Sequence, residues 1–363
     1  MYPLIFEPVF KEMIWGGSRL RDFGKNILSD KTGESWDVTC RQDKWGNDME
    51  MSVVANGPLK GRTLAEVTGA DPGAWLGRGR AAIPPFPLLV KTIDANDNLS
   101  VQVHPDDGHA ADVRPPAEHE AEPALFSSRP LGKAEMWYIL EPPADGYLIV
   151  GLKPGVTREM FRLALKEGTV ETLLGRLEVR AGDVIDIPPG LVHAITRGTV
   201  LAEIQQNSDI TYRVYDYNRA GLDGKPRELH VDKALDVINF DNGPVEVVAG
   251  SFSLPAGQET KFDGYTLTQL IRNKHFVVEK YDIATRVCMG SPAPHSSNGI
   301  GVFSIFTCVR GRATVSGGGP TLGSRQSVEL GPGQSVFMPA AIGEYTLDGD
   351  CALLKSFVAP EAL

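Results

Sequence analysis

Three separate segments of the chain carry polar side chains of the kinds that bind a metal ion. In residues 182–193, a short apolar strand runs into a Pro-Pro-Gly turn that is followed by His193, and a rigid turn of this kind can aim an imidazole inward. In residues 99–105, strand alternation puts Gln102 and His104 on one face. In residues 132–138, Glu135 enters an apolar strand. Together these side chains offer two nitrogen and two oxygen ligands.

The type of ion stays open on this reasoning. Nitrogen and carbonyl-type oxygen donors suit zinc, manganese, iron or cobalt with an open coordination position. The four cysteines lie far apart and lack metal-ligand spacing. A histidine taken alone is more often a hydrogen-bonding residue than a ligand, but agreement between three segments favours a metal site. An ion held there would polarise a substrate oxygen or activate a water molecule.

Several cations stand close to these segments in an otherwise acidic chain. Lys91, Lys133 and Arg213 lie within apolar strands, where an unpaired charge is costly to bury. Arg219 and Lys225 follow in the next loop, and they are equally compatible with a surface role. An inward cluster of cations beside a metal ion predicts an anionic, oxygen-rich substrate such as a sugar phosphate.

The elements that must position these residues are mostly short strands. Alternating apolar segments, punctuated by 39 glycines and 26 prolines, are typical of an all-β sandwich or barrel. Helices are expected at residues 63–68 and 71–76, across 157–177 as two helices outside the barrel, and at 231–240. The proline-rich segment 108–131 is interpreted as a lid or an exposed insertion.

An internal repeat indicates a second barrel. Gly182 and Pro188 recur as Gly333 and Pro339, a shift of about 151 residues with flanks of similar character. At the place of His193 the second copy has Glu344. We therefore expect two barrels of one ancestry, of which only the first binds metal, with a linker near residues 239–245.

Composition excludes some classes of partner. A net charge of −10 argues against nucleic acid, because phosphate backbones require clustered cations. The first residues lack a basic region followed by an apolar run, and no apolar run approaches the length that spans a membrane. We expect a cytoplasmic protein of two or three domains, with a small-molecule partner and no membrane contact.

The chain resembles the cupin-type phosphomannose isomerases, the shorter bacterial branch of the mannose-6-phosphate isomerase family. The resemblance rests on Trp15, on residues 34–36, and on the segments PPFPLLVK (84–91), LSVQVHPDD (99–107), GKAEMWY (132–138), IPPGLVHA (187–194) and EIQQNSDITYRVYDY (203–217). It implies a mainly β fold of two cupin (jelly-roll) barrels with a small helical insertion. Residues 1–240 would form the catalytic metal-binding domain, with the insertion at about 157–177, and residues 241–363 a cupin domain without the metal histidines.

The same resemblance implies a metal and a set of site residues. It implies Zn2+, or another divalent transition metal, held by Gln102, His104, Glu135 and His193. It also implies an active-site role for Arg213 and polar active-site roles for Lys91, Ser100, Lys133 and Glu203. Some relatives have a lysine six residues after the arginine, where this chain has Arg219, so the phosphate contacts assigned to Arg219 and Lys225 are less defined than the metal site.

The implied reaction is the interconversion of mannose 6-phosphate and fructose 6-phosphate through a metal-stabilised enediolate. Arg213 would help to stabilise the developing oxyanion, and Glu203 is the candidate acid and base because of the face it occupies. Three alternatives remain: a non-catalytic sugar-binding or regulatory cupin, a metal-dependent oxygenase of the same barrel type, and an isomerase of another sugar phosphate or of a free sugar. The sequence leaves the oligomeric state open.

Overall fold

A computed structural model describes residues 1–42, 48–77, 86–111, 131–241, 259–290, 301–318 and 325–358. Strands predominate in these ranges, as the sequence predicts, and most of them pair antiparallel with their neighbours. The strands of the amino-terminal region are β1 (Phe6–Glu7), β2 (Val9–Gly17), β3 (Thr32–Val38), β4 (Cys40–Gln42), β5 (Asp48–Met51), β6 (Val53–Val54), β7 (Leu88–Asp94), β8 (Val101–Val103), β9 (Glu135–Glu141), β10 (Tyr147–Leu152), β11 (Leu174–Glu178), β12 (Val184–Ile187), β13 (His193–Ala194), β14 (Val200–Gln206) and β15 (Tyr212–Tyr215).

These strands form the first barrel. Its two main sheets enclose an interior that holds both apolar and polar side chains. One sheet has the order β12-β9-β14-β7-β3-β2 and the other the order β11-β10-β13-β8-β15. Side chains from both sheets meet in one buried cluster that includes Trp15, Ile93, Trp137, Leu148 and Ile185. The inward face of each strand carries every second residue, so the polar residues of that face line the same interior.

The carboxyl-terminal region forms the second barrel. Its strands are β16 (Glu259–Phe262), β17 (Tyr265–Arg272), β18 (Val277–Ile283), β19 (Val287–Met289), β20 (Ser304–Gly311), β21 (Ala313–Gly317), β22 (Gln326–Leu330), β23 (Ser335–Met338), β24 (Tyr345–Asp348) and β25 (Cys351–Phe357). They pair in the orders β16-β17-β18-β25-β20-β23 and β19-β24-β21-β22. The expected mainly β architecture of two cupin barrels is confirmed.

The predicted repeat is visible in the strand boundaries. β12 begins at Val184 and β23 at Ser335, the same shift of 151 residues that relates the two glycine-proline turns. Gly182 and Gly333 both adopt a positive φ, 91° and 78°, which favours glycine at the start of each turn. Glu344, at the place of His193, is exposed to solvent. The second copy keeps the turn but not the inward imidazole.

The two barrels share one apolar core. Phe86 of the first barrel lies 5.2 Å from Phe303, and Phe303 stacks on Phe337 at 5.4 Å, measured between ring centroids. All three rings are fully buried. The amino-terminal segment joins the second barrel directly, because Leu4 and Phe337 exchange backbone hydrogen bonds of 2.9 and 2.8 Å. The outer face of the sheet that contains β7 and β14 is thereby covered.

Helices cover other parts of the first barrel. They are α1 (Leu64–Ala70), α2 (Pro72–Leu76), α3 (Asp107–Ala111), α4 (Arg158–Glu167) and α5 (Val231–Val237). Thr63 caps α1 in a capping box with Glu66, and Thr157 caps α4. Phe161 of α4 and Leu235 of α5 join the cluster on the outer face of the sheet that contains β8 and β13.

The expectation of two helices across residues 157–177 is wrong in its second half. α4 ends at Glu167 and is capped by Gly168, which adopts a left-handed conformation, and residues 170–173 form only a 3-10 turn. Residues Leu174–Glu178 are the edge strand β11, paired with β10. Sheet pairing therefore overrides the helical spacing of the leucines.

Parts of some predictions lie outside the described residues, namely most of the segment 108–131 and the linker turn at 242–244. The domain boundary at 240/241 therefore stays a prediction. No helix in the described ranges has the length and apolar character needed to cross a bilayer.

We expect Phe337→Ala to lower the free energy of unfolding by about 3–5 kcal/mol, because it opens a cavity in the shared core. Leu28→Ala is the control, since Leu28 is 95% exposed and its removal leaves the core intact. Urea unfolding of the two variants measures the difference. Equal effects of the two substitutions would show that the shared core contributes little to stability.

Candidate active site

Strand register aligns the polar residues of the first barrel in two facing rows. On one sheet, His193 pairs with Gln102, and Gln102 pairs with Arg213 across β8. On the other sheet, Lys91 pairs with Glu203, and Glu203 pairs with Trp137. Residues directly opposite in a sheet share a face. Six side chains from distant parts of the chain are therefore brought to one end of the barrel interior.

Three of the four predicted ligands form a buried cluster. The ligand atoms of His104, Glu135 and His193 all lie within 4.8 Å of one another. The Nε2 atoms of the two histidines are 3.1 Å apart, and each lies 3.5 Å from an oxygen of Glu135. All three side chains are at most 1% exposed. The grouping predicted from the sequence for these residues is present.

The backbone fixes both imidazole rings in one tautomer. His104 Nδ1 lies 2.9 Å from the carbonyl oxygen of Ile210, and His193 Nδ1 lies 2.9 Å from that of Leu191. A carbonyl oxygen can only accept a hydrogen bond, so the nitrogen that faces it must donate one. Each Nδ1 therefore carries the hydrogen and each Nε2 presents a lone pair. Burial and the charge of Lys133 lower the pKa of both histidines, that of His193 to about 3. Both rings are therefore neutral at physiological pH.

Glu135 completes a donor set that fits a divalent ion. Its Oε1 atom is buried without a hydrogen-bond partner. Burial, together with the charge of Glu203, raises the pKa of Glu135 to about 7 against the opposing effect of Lys133. Lys133 Nζ lies within hydrogen-bond distance of His104 Nε2 and Glu135 Oε2, which leaves the lone pair of His193 and Glu135 Oε1 for a cation. The residues present therefore fit a metal ion of the type that the sequence predicts.

Gln102, the fourth predicted ligand, lies next to this cluster. It pairs with His193 in the sheet, is half-buried and lines a cavity of the first barrel. Its role as a ligand stays a prediction.

Lys133 lies over the same cluster. Its Nζ atom is 2.5 Å from Glu135 Oε2 and 2.9 Å from His104 Nε2, and the side chain is 5% exposed. The shared face that strand alternation assigns to Lys133 and Glu135 is therefore observed.

A second buried group of charges surrounds Lys91. Its Nζ lies 3.0 Å from Glu203 Oε1 and 3.4 Å from Glu34 Oε2. Glu203 Oε2 also accepts a hydrogen bond of 3.0 Å from Trp137 Nε1. Burial alone would raise the pKa of Glu203, but the charges of Lys91 and Lys133 outweigh it and lower that pKa below its usual range. Glu203 is therefore ionised in the fold.

A cavity of about 310 Å³ borders both groups, since Gln102 and Lys133 line it next to the first and Lys91, Glu203 and Glu34 line it from the second. Its lining residues are Met13, Trp15, Glu34, Trp36, Lys91, Ile93, Leu99, Ser100, Gln102, Lys133, Ile195, Glu203, Asp209, Thr211, Arg213, Arg227 and His230. This volume suits a small polar molecule rather than a macromolecule.

Arg213 is held at the wall of this cavity. Its Nε donates to Ser100 Oγ at 3.2 Å and its Nη1 donates to the carbonyl oxygen of Glu228 at 2.9 Å. Burial and the neighbouring cation Arg227 lower the pKa of Arg213. Five predicted catalytic and substrate-binding residues thus line one space, namely Lys91, Ser100, Lys133, Glu203 and Arg213.

Two other residues that the sequence predicts to contact the substrate do not line the cavity. Arg219 binds Asp97 and Asp216 at 3.1 and 3.0 Å, and Lys225 is exposed. Neither is among the lining residues, so their roles in substrate binding stay predictions.

Sequence reasoning missed Arg227 and His230, which line the same wall. They belong to the irregular segment after β15, in which Tyr217 and Asn218 both adopt a positive φ. Strand alternation carries no information about such a loop. The only signal was the surplus of cations near residues 213–227.

Family models match both parts of the chain. The model described as "Phosphomannose isomerase type I, catalytic domain" matches residues 4–141, and "Mannose-6-phosphate isomerase, cupin domain" matches residues 266–358. The chain is 33% identical over 96% of its length to the mannose-6-phosphate isomerase ManA of Bacillus subtilis, covering 96% of that protein. It is also 33% identical to the mannose-6-phosphate isomerase of Streptococcus mutans, with 98% of each chain covered.

Solved structures agree with these matches. A crystal structure of mannose 6-phosphate isomerase from Bacillus subtilis is 31% identical, covers 98% of this chain and 99% of its own, and gives a TM-score of 0.78. A structure from Archaeoglobus fulgidus at 20% identity has a TM-score of 0.67 over 98% of each chain, and it supports the fold alone.

We expect His193→Ala to lose bound divalent metal, because the substitution removes one of two facing nitrogen donors from a buried cluster. Metal content after gel filtration, measured by inductively coupled plasma spectrometry, checks this. His109→Ala is the matched control, since His109 is half-exposed and bonds only to Asp106 among the contacts described. Stoichiometric metal in the His193 variant would refute the proposed ligand set.

Proposed function

The chain belongs to the type I phosphomannose isomerase family, and from that membership we propose that it interconverts mannose 6-phosphate and fructose 6-phosphate. The observation that carries this proposal is the buried His-Glu-His cluster, which contacts Lys133 in the wall of a cavity lined by cations. A metal donor set and inward positive charge are together suited to an oxygen-rich anion.

We propose zinc as the resident ion, held by His104, Glu135 and His193 with Gln102 as the fourth ligand. A bound divalent ion would polarise the oxygens of the substrate's carbonyl and adjacent hydroxyl groups. The chain itself keeps both histidines neutral and fixes their rings. Lys133, which contacts His104 Nε2 and Glu135 Oε2, would have to move aside for the ion.

Two groups of charged residues line the cavity from different sheets. Lys91 and Glu203 lie on β7 and β14, with Lys133 in contact with His104, whereas Arg213 lies on β15 and Arg227 in the segment after it. We propose that the reacting carbons lie beside the first group and the phosphate group beside the second. Arginine side chains bind phosphate oxygens through paired N–H donors.

Glu203 is the proposed acid and base. It is ionised, so it can remove the proton from carbon 2 of the aldose and return it to carbon 1, while the hydroxyl proton passes from oxygen 2 to oxygen 1 to give the ketose. Lys91 holds one carboxylate oxygen and Trp137 the other, which fixes its direction. The charges of Lys91 and Lys133 would stabilise the negative charge that develops on the enediolate oxygens, and Arg213 would bind the phosphate group instead. The cytoplasmic location stays a prediction.

The proposed activity is tested by incubating the protein with fructose 6-phosphate and following mannose 6-phosphate. We expect turnover that is lost on chelation and restored by added zinc. Free fructose is expected to turn over far more slowly, because it leaves Arg213 and Arg227 without an anion to bind. Zinc-independent turnover would refute the metal, and equal rates on the free sugar would refute the phosphate site.

Glu203→Gln is expected to keep metal and substrate binding but to lower kcat by about 100-fold or more, because it removes the proton-transfer group. Steady-state kinetics together with metal content separate the two effects. Glu167→Gln, an exposed carboxylate on α4, is the control. A near-normal rate in the Glu203 variant would exclude this residue as the base.

A further inference from the structure

The chain segments that flank residues 108–131 meet beside the group formed by His104, Glu135 and His193. Lys133 N donates to the carbonyl oxygen of Pro105 at 3.0 Å. A Cβ atom at Gly132 would come within 2.5 Å of the backbone of Asp106, so the two chain segments pack as closely as glycine permits. One of these segments carries His104 and the other carries Glu135. Their contact therefore sets the relative position of two metal-binding side chains.

The carboxylate of Asp107 bridges this contact. Its Oδ1 atom accepts hydrogen bonds from Gly132 N at 2.8 Å and from Gln206 Nε2 at 2.9 Å. Gln206 Oε1 in turn accepts from Ala134 N at 3.0 Å, and Gln206 N donates to Ala134 O at 3.0 Å. Gln206 is 3% exposed. Asp107 thus holds the backbone on both sides of Lys133, directly before Glu135.

Asp107 also faces the second barrel. His275, in the turn between β17 and β18, places Nδ1 3.9 Å from Asp107 Oδ2. Burial alone would raise the pKa of Asp107, but the hydrogen bonds from Gln206 and Gly132 and the charges of His275 and Lys274 lower it. The carboxylate is therefore ionised, and its hydrogen bonds are charge-assisted.

We propose that Asp107 is a positioning residue, which fixes Glu135 and Lys133 against His104 through Gly132 and Gln206. The inference rests on the metal centre of the proposed function, and Asp107 itself touches neither metal nor substrate. Partners that orient metal ligands typically change metal affinity or activity by about 10–100-fold when they are removed. Asp107 acts on the backbone that carries the ligand, so an effect of this size is expected on metal affinity.

The test compares Asp107→Ala with Asp107→Asn and with Asp106→Ala. Zinc affinity is measured by competition with a chromophoric chelator, and thermal unfolding is followed in parallel. We expect Asp107→Ala to weaken zinc binding by about 10–100-fold. Asp107→Asn should recover most of this affinity, because its amide oxygen can accept both hydrogen bonds. Asp106→Ala should bind as the wild type does, since its carboxylate bonds only to Gly108 and His109 among the described residues and to neither Gly132 nor Gln206.

A second variant keeps the proposal testable if Asp107→Ala fails to fold. Gln206→Ala removes the middle of the same chain of hydrogen bonds, and it should weaken zinc binding in the same direction. Where both alanine variants fold, the double variant should lose less affinity than the sum of the two single losses, because the residues act as one unit.

Three results would overturn the proposal: wild-type zinc affinity in Asp107→Ala or in Gln206→Ala, an Asp107→Asn variant as weak as Asp107→Ala, or additive losses in the double variant. A wild-type protein that binds zinc but does not turn over fructose 6-phosphate would instead refute the proposed function. In that case the ratio of zinc affinities still decides the role of Asp107.

Discussion

Two imidazole nitrogens that face each other at 3.1 Å impose the constraint on which the site depends. Because backbone carbonyls hold the hydrogen on the opposite nitrogen of each ring, neither His104 nor His193 can donate to the other. With a buried carboxylate oxygen of Glu135 beside them, these lone pairs are stabilised by positive charge, which Lys133 places next to His104 and Glu135. The turn before His193, the strand that ends at His104 and the strand that begins at Glu135 all serve to keep this arrangement fixed.

Ion pairs offset the free-energy cost of burying charged side chains in this site. Lys91 stands between Glu203 and Glu34, and Lys133 contacts Glu135, so each of these buried side chains has a partner of opposite charge. A single unpaired charge at this depth would cost several kcal/mol. The same pairing sets the proton positions, because it keeps Glu203 ionised while both histidines stay neutral. The same ion pairs therefore offset the cost of burying these charges and keep Glu203 in the ionised form that can accept a proton.

The sequence predicted the part of the site that follows from regular geometry. Strand alternation and one rigid turn were enough to group His104, Glu135 and His193, because a strand allows only two directions for a side chain. Arg227 and His230 were missed, since an irregular loop has no period. The helix predicted from the spacing at residues 170–177 was wrong for another reason. Pairing with β10, which is distant in the sequence, stabilises the edge strand β11 in its place. Local patterns do not report such long-range pairing.

The contact between Leu4 and Phe337 has a consequence for the order of events during synthesis. Leu4 can find this partner only after the residues up to Phe337 have been translated. Until then the apolar outer face that contains Leu88 and Val90 is covered only in part, by residues such as Leu64 and Trp75 of the first two helices, and contacts of such high sequence separation form slowly. The first barrel therefore buries this face completely only after most of the second barrel has been made.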